Sequence, residues 1–128
     1  MSQARIYHTQ QVHYLVKKIT YLDDGSTLTM GVIPANSVII NAGVVVTEAF
    51  NAGTTNVLDI GTSADGDGIA TDLALGTVGR VGADEMATSN DLFSTSEVTI
   101  TCTVDLTGTA ATTGQAYVHL EYLPTTNG

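Results

Sequence analysis

The chain contains no tryptophan, a single cysteine and two prolines, and only four of its 128 residues are Lys or Arg. Each shortage excludes something. Cys102 has no partner for a bridge within the chain, so the fold neither needs an oxidising compartment nor reports one. The usual setting of such a residue is that of a small buried hydrophobe. Four bases against 13 acids give a net charge of −9, which argues against nucleic acid and anionic membranes as partners, since both repel an acidic body. No apolar run approaches the ~18 residues of a membrane helix. The opening MSQARIYHTQQ holds no apolar core of the length a secretion signal needs, which predicts synthesis in the cytoplasm.

The charges that are present are unevenly distributed. Arg5, Lys17 and Lys18 all precede Asp23, the first acid, while Arg80 is the only base among everything that follows. The N-terminal arm is therefore the part suited to an acidic partner. Hydrophobic residues make up 43% of the chain and charged ones 13%, with Thr, Gly, Val and Ala abundant. β-Branched residues fit pleated surfaces and glycine supplies turns, so the mixture favours strands over helices.

Along the chain, residues 1–11 read as a polar arm, 12–124 as one domain and 125–128 as a tail. In QVHYLVKKITYL, Val12, Tyr14 and Val16 share one face and Ile19 and Tyr21 the other. A bulge at Lys17-Lys18 would restore a single apolar face. Asp23-Asp24-Gly25-Ser26 predicts a hairpin turn, followed by a strand from Thr27 to Ile33 that ends before Pro34. Ser37–Phe50 is long for one strand, and Asn41-Ala42-Gly43 predicts a bend or bulge dividing it into two pieces. Val44 and Val46 then share a face, as in a strand from the middle of a sandwich.

After a turn at 51–56 and a short strand at Val57–Gly61, residues 62–90 lose clear period, with a helical turn expected at Ile69–Leu75. Irregular segments of that length are usually functional, so contact surface is expected there. Period 2 returns in EVTITCTVDLT, where Val98, Ile100, Cys102, Val104 and Leu106 alternate with Thr and Asp. After the small-residue loop Gly108–Gly114, Ala116, Val118, Leu120 and Tyr122 alternate with Tyr117, His119 and Glu121, completing an antiparallel pair. About seven short strands, one long irregular loop and at most a short helical turn predict an all-β, antiparallel, jelly-roll-like β-sandwich.

The residues offer little chemistry. Asp65-Gly66-Asp67-Gly68, with Asp72 nearby, is the one acidic cluster with the look of a metal loop. An EF-hand counted from Asp65 needs glycine sixth and glutamate twelfth, and those places hold Ala70 and Gly76. Asp65, Asp67 and Asp72 remain candidates for a looser calcium site, with a solvated turn as the simpler reading. His8, His13 and His119 show no ligand spacing. Cys102 lies on an apolar face, the wrong setting for a nucleophile. No nucleophile elbow, phosphate loop or paired-carboxylate motif is present, so neither an enzyme nor a cofactor is expected.

One stretch carries a family likeness. Gly31-Val32-Ile33-Pro34-Ala35, the run leading to Val46-Thr47-Glu48-Ala49-Phe50-Asn51, then Val57-Leu58-Asp59-Ile60-Gly61-Thr62 and an Asp-Gly tip, resembles small structural proteins of tailed bacteriophages, of the head decoration or cement type. Similar frameworks occur in head fibres and tail parts. The resemblance covers about a third of the chain and implies a β-sandwich that sits as a homotrimer on the outer surface of the capsid, bound to the major capsid protein. The partner-binding candidates are Arg5, Tyr7, His8, Lys17 and Lys18, with the 62–92 segment second. A receptor- or glycan-binding virion appendage, using exposed tyrosines such as Tyr117 or the Asp67 tip, is the alternative.

Overall fold

Alternating β-branched residues become strand wherever one face can be buried, and nine strands form among the described residues. The computed structural model describes residues 11–84 and 86–125. Its strands are β1 (His13–Thr20), β2 (Thr27–Ile33), β3 (Ser37–Glu48), β4 (Thr55–Thr62), β5 (Ala70–Ala74), β6 (Gly79–Gly82), β7 (Phe93–Ser94), β8 (Val98–Thr107) and β9 (Gln115–Pro124). A 3₁₀ turn at Tyr21–Asp23 is the one helical element among the described residues, none of which belongs to a helix able to cross a membrane.

The strands form two sheets, ordered β1-β9-β3-β6 with β7 also on β3, and β2-β8-β4-β5. Every ladder between named strands is antiparallel. With the two-residue β7 set aside, chain neighbours lie in opposite sheets at every connection except β4 to β5, which is the double Greek-key wrapping of a jelly roll. The core lies between the sheets. Val44 and Val46 of β3, Leu58 and Ile60 of β4, Ile100 and Val104 of β8 and Val118 and Leu120 of β9 are all buried there. The alternation expected of β8 and β9 is observed, with Ala116, Val118, Leu120 and Tyr122 inward.

Five expectations are corrected. First, β1 pairs with β9 from His13 to Thr20 without a bulge. Its inward residues are Leu15, Lys17 and Ile19, and Val12, Tyr14 and Val16 are exposed. The unbroken register against Val118 and Leu120 fixes this parity, because a bulge would forfeit ladder bonds along an edge strand. Second, Asp23–Ser26 does not close a hairpin, since β1 and β2 belong to different sheets. Thr20 caps the 3₁₀ turn instead, its Oγ1 accepting from Leu22 N at 3.3 Å while Thr20 N donates to Asp23 Oδ2 at 2.8 Å. Gly25 takes φ +78° in the turn that follows.

Third, the helical turn at Ile69–Leu75 is strand β5. Leu58 faces Leu73 and Ile60 faces Ala70, so the single residue Asp59 of β4 lies opposite both Thr71 and Asp72 of β5. The extra residue is absorbed where Asp72 takes φ +56°, so the buried residues Ala70 and Leu73 stand three apart, a helical spacing, instead of two. With β6 also present, the irregular part of 62–92 is much shorter than expected. Fourth, the bulge expected near Asn41 is present as a register shift between Ile39 and Asn41, but it does not divide the run, and β3 continues through it as one strand. Fifth, β8 and β9 do not pair with each other. The Gly108–Gly114 loop carries the chain from one sheet to the other.

Candidate interaction face

Antiparallel partners directly opposite one another project to the same side of a sheet, so the register defines the outer face of the five-stranded sheet row by row. One row runs Lys18, Tyr117, Val45, Arg80 across β1, β9, β3 and β6. The next runs Val16, His119, Gly43, Gly82, and a third runs Tyr14, Glu121, Asn41. Tyr14 is 67% exposed and Val16 49%, with Val45 and Tyr117 close to 40%. Lys18 and Arg80 are exposed at the two ends of their row, about 14 Å apart at ~4.8 Å per strand. Gly43 and Gly82 contribute no side chains, and the His119 ring covers Gly43, its Nε2 standing 3.2 Å from where a Cβ there would be.

The carboxylates near this face are already engaged. Glu121 Oε2 lies 2.9 Å from His119 Nδ1, and Glu121 Oε1 accepts from Asn41 Nδ2 at 3.3 Å. Glu48, at the end of β3, accepts from Gly114 N at 3.0 Å. The result is an apolar surface with a cation on each side, set in a chain whose net charge is −9.

The outer face of the other sheet has the opposite character. Thr27, Thr103 and Asp59 share a row across β2, β8 and β4, and the Thr27 and Thr103 hydroxyl oxygens are 3.1 Å apart. Asp59 Oδ1 accepts from Asp72 N at 2.8 Å. Partial burial pushes the Asp59 carboxyl above the usual carboxylate range, and the negative charges of Asp72, Asp67 and Asp105 add to this against the opposing effect of the Asp72 N–H.

The sequence candidates are scattered by this architecture. Arg5, Tyr7 and His8 lie outside the described residues. Lys17 and Lys18 point to opposite sides of β1: Lys18 outward, Lys17 inward at the margin of the core, where its charge opposes the upward shift of Cys102. Burial nevertheless pushes the Cys102 thiol up to about 11, so it is no nucleophile near neutral pH. Asp72 bonds across to Asp59, whereas Asp65 shapes a turn through its backbone, its carbonyl accepting from Thr62 N and Gly68 N. Among the described residues no three His, Cys, Asp or Glu side chains are grouped to hold a metal ion. His13 stacks on Tyr122 at 5.6 Å between ring centroids.

An open cleft of about 370 Å³ lies beside Thr62, Ser63, Asn90, Asp91, Phe93 and Glu97, with no base and nucleophile paired in its lining. Sequence reasoning missed Tyr14, Val16, Val45 and Arg80 as members of one face. Two signals pointed to them: Arg80 is the lone base of an acidic body, and β1 carries apolar residues on both parities.

This architecture recurs in phage capsids. A chain in the cyanophage Pam1 capsid asymmetric unit matches with a TM-score of 0.68 at 12% identity, over 91% of this chain and 87% of that one. A chain in the capsid of Ralstonia phage GP4 matches with a TM-score of 0.65 at 21% identity, over 91% and 86%. A third, in the acid-stable capsid of Helicobacter pylori bacteriophage KHP30, matches with a TM-score of 0.63 at 11% identity, over 89% of each chain. No family model matches the sequence, and no curated protein does. The likeness is one of fold, spanning nearly the whole sandwich in all three cases and so taking in both sheet faces.

Proposed function

We propose that this chain is a structural protein of a bacteriophage virion that decorates and stabilises the capsid, binding the outer surface of the shell formed by the major capsid protein, as a homotrimer. The observation that carries the reading is the recurrence of the fold in three phage capsid structures at about nine-tenths coverage of both chains. The phage-protein resemblance of the Gly31–Gly68 stretch supports it from the sequence side.

The mechanism is reinforcement by contact area. A trimer placed across junctions between shell subunits adds contacts that must break before internal pressure can part those subunits. Stable protein contacts bury about 1,200–2,000 Å² in total, and rotational symmetry repeats each one around the axis. The rigid jelly roll suits this task, since its two packed sheets transmit load without rearranging. No catalytic step is required, and the arm with Arg5, Tyr7 and His8 is offered as additional contact.

The test is to add the purified chain to shells assembled from the major capsid protein of the same virus. Saturable binding of a species that sediments as a trimer, with bound shells outlasting bare ones on heating, is expected. Shells that neither bind the chain nor gain heat resistance would retire the proposal.

A further inference from the structure

We infer that the chain docks through the outer face of its five-stranded sheet onto an apolar-centred, carboxylate-flanked patch of the shell protein, leaving the Thr and Asp face of the other sheet toward solvent. The inference rests on the capsid reading above and assigns a face and a partner chemistry to it.

Three observations converge on this face. Tyr14, Val16, Val45 and Tyr117 stand side by side on it, all exposed. Clustered apolar surface of this kind marks interaction sites, whereas isolated exposed hydrophobics do not. Lys18 and Arg80, two of the four bases in the chain, bracket the apolar row. The carboxylates at hand, Glu121 and Glu48, are already hydrogen-bonded within the chain. Those hydrogen bonds hold the two carboxylates in place without cancelling their charge, but neither lies in the Lys18–Arg80 row, and neither cation is ion-paired among the described residues. The partner surface complementary to that row is therefore acidic at two points about 14 Å apart, or three strand spacings, with apolar side chains between them.

A second copy of the chain does not satisfy these requirements. A two-fold axis through the middle of the Lys18–Arg80 row would set Lys18 of one copy against Arg80 of the other, like charge on like. The acidic four-stranded sheet would complement the charges, but the outer faces of a sandwich point in opposite directions. Face-to-back contacts then stack without closing, giving a fibre instead of a finite oligomer. A trimer built edge to edge avoids both difficulties and sets three such faces on one side.

Magnitude agrees with that arrangement. Four strands by about seven residues give roughly 450 Å² of flat area per copy, below the ~800 Å² per partner of a standard interface. One copy would dock weakly, and three faces in one trimer would gain by effective concentration.

The experiment compares binding to shells assembled from the major capsid protein for the wild type, for Lys18→Glu/Arg80→Glu, and for Asp72→Lys/Asp105→Lys on the opposite face. Circular dichroism and thermal unfolding verify that each variant folds. The first double variant should lose at least about tenfold in affinity and the second should stay within about twofold of wild type. Hydroxyl-radical footprinting of the wild type gives a reading independent of mutation: Tyr14 and Tyr117 should become protected on binding while Val32, exposed on the other sheet, should not. Wild-type binding with Tyr14 and Tyr117 still reactive, or with undiminished affinity in Lys18→Glu/Arg80→Glu, overturns the face assignment and leaves the capsid reading intact. Failure of the wild type to bind removes both.

Discussion

Asp59 has three other carboxylates in its electrostatic neighbourhood, those of Asp72, Asp67 and Asp105, and is itself partly buried. Both circumstances disfavour its charged form, so the folded state holds the Asp59 proton more tightly than the unfolded chain does. By linkage, stability falls as pH rises from the unfolded pKa through the folded one, and above that window the full penalty remains. Asp59→Asn removes the charge and keeps an amide oxygen able to accept from Asp72 N. The substitution should stabilise the fold at pH 7 by about 0.5 kcal/mol, a modest value because the site is solvent-screened. The gain should fade as the pH is lowered through the carboxylate range, and thermal unfolding at pH 7 and near pH 3 reads both. A loss of stability at pH 7 would contradict the assignment. The neighbouring lysines make a related point about residues. Lys17 and Lys18 look equivalent in the sequence, yet period 2 sends them to opposite sides of β1. Which side each takes depends on the register with β9, and no local pattern records that.

At the scale of elements, the turn after β4 depends on one close approach. Residues 62–66 fold back over the strand, with Thr62 N donating to Asp65 O at 2.9 Å and Asp65 N to Thr62 O at 3.2 Å. A Cβ on Gly61 would stand 2.1 Å from Asp65 O and 2.4 Å from the Gly66 carbonyl carbon, both backbone atoms of that turn. Gly66, at the turn itself, has open space where its Cβ would be. Gly61→Ala should therefore destabilise by about 1–3 kcal/mol, as overpacking does, while Gly66→Ala should stay within about 0.5 kcal/mol of wild type. Urea midpoints of the two variants make the comparison, and equal midpoints would remove the close approach as a constraint. Strands with clean alternation, such as β8 and β9, were legible because burial of one face leaves period 2 in the sequence. The bulged β5 was misleading, since one inserted residue turned a strand period into a helical one. Sheet membership was not legible either: a turn signal such as Asp24-Gly25 marks a reversal equally well within a sheet or between two, and only packing of the whole chain decides.

For the molecule as a whole, the double Greek-key wrapping produces two outer faces and the sequence gives them different chemistry. Thr and Asp line one, while apolar residues bracketed by Lys18 and Arg80 line the other. These two consequences of charge respond to salt with opposite signs. The chain carries −9 in total, so self-repulsion opposes the compact state and screening relieves it. Raising the ionic strength from about 0.01 M, where the Debye length is ~30 Å, to about 0.15 M, where it is ~8 Å, should raise the melting temperature by about 2–4 °C. Docking through a cation-flanked face onto an acidic patch depends on attraction across an interface, and the same screening should weaken it, chiefly by slowing association. A protein that becomes more stable yet binds shells more slowly over one salt series would carry the signature of repulsion within the body and attraction at a single face. Binding that strengthened in parallel with stability would mean instead that apolar contact dominates the interface, with Lys18 and Arg80 lying outside it.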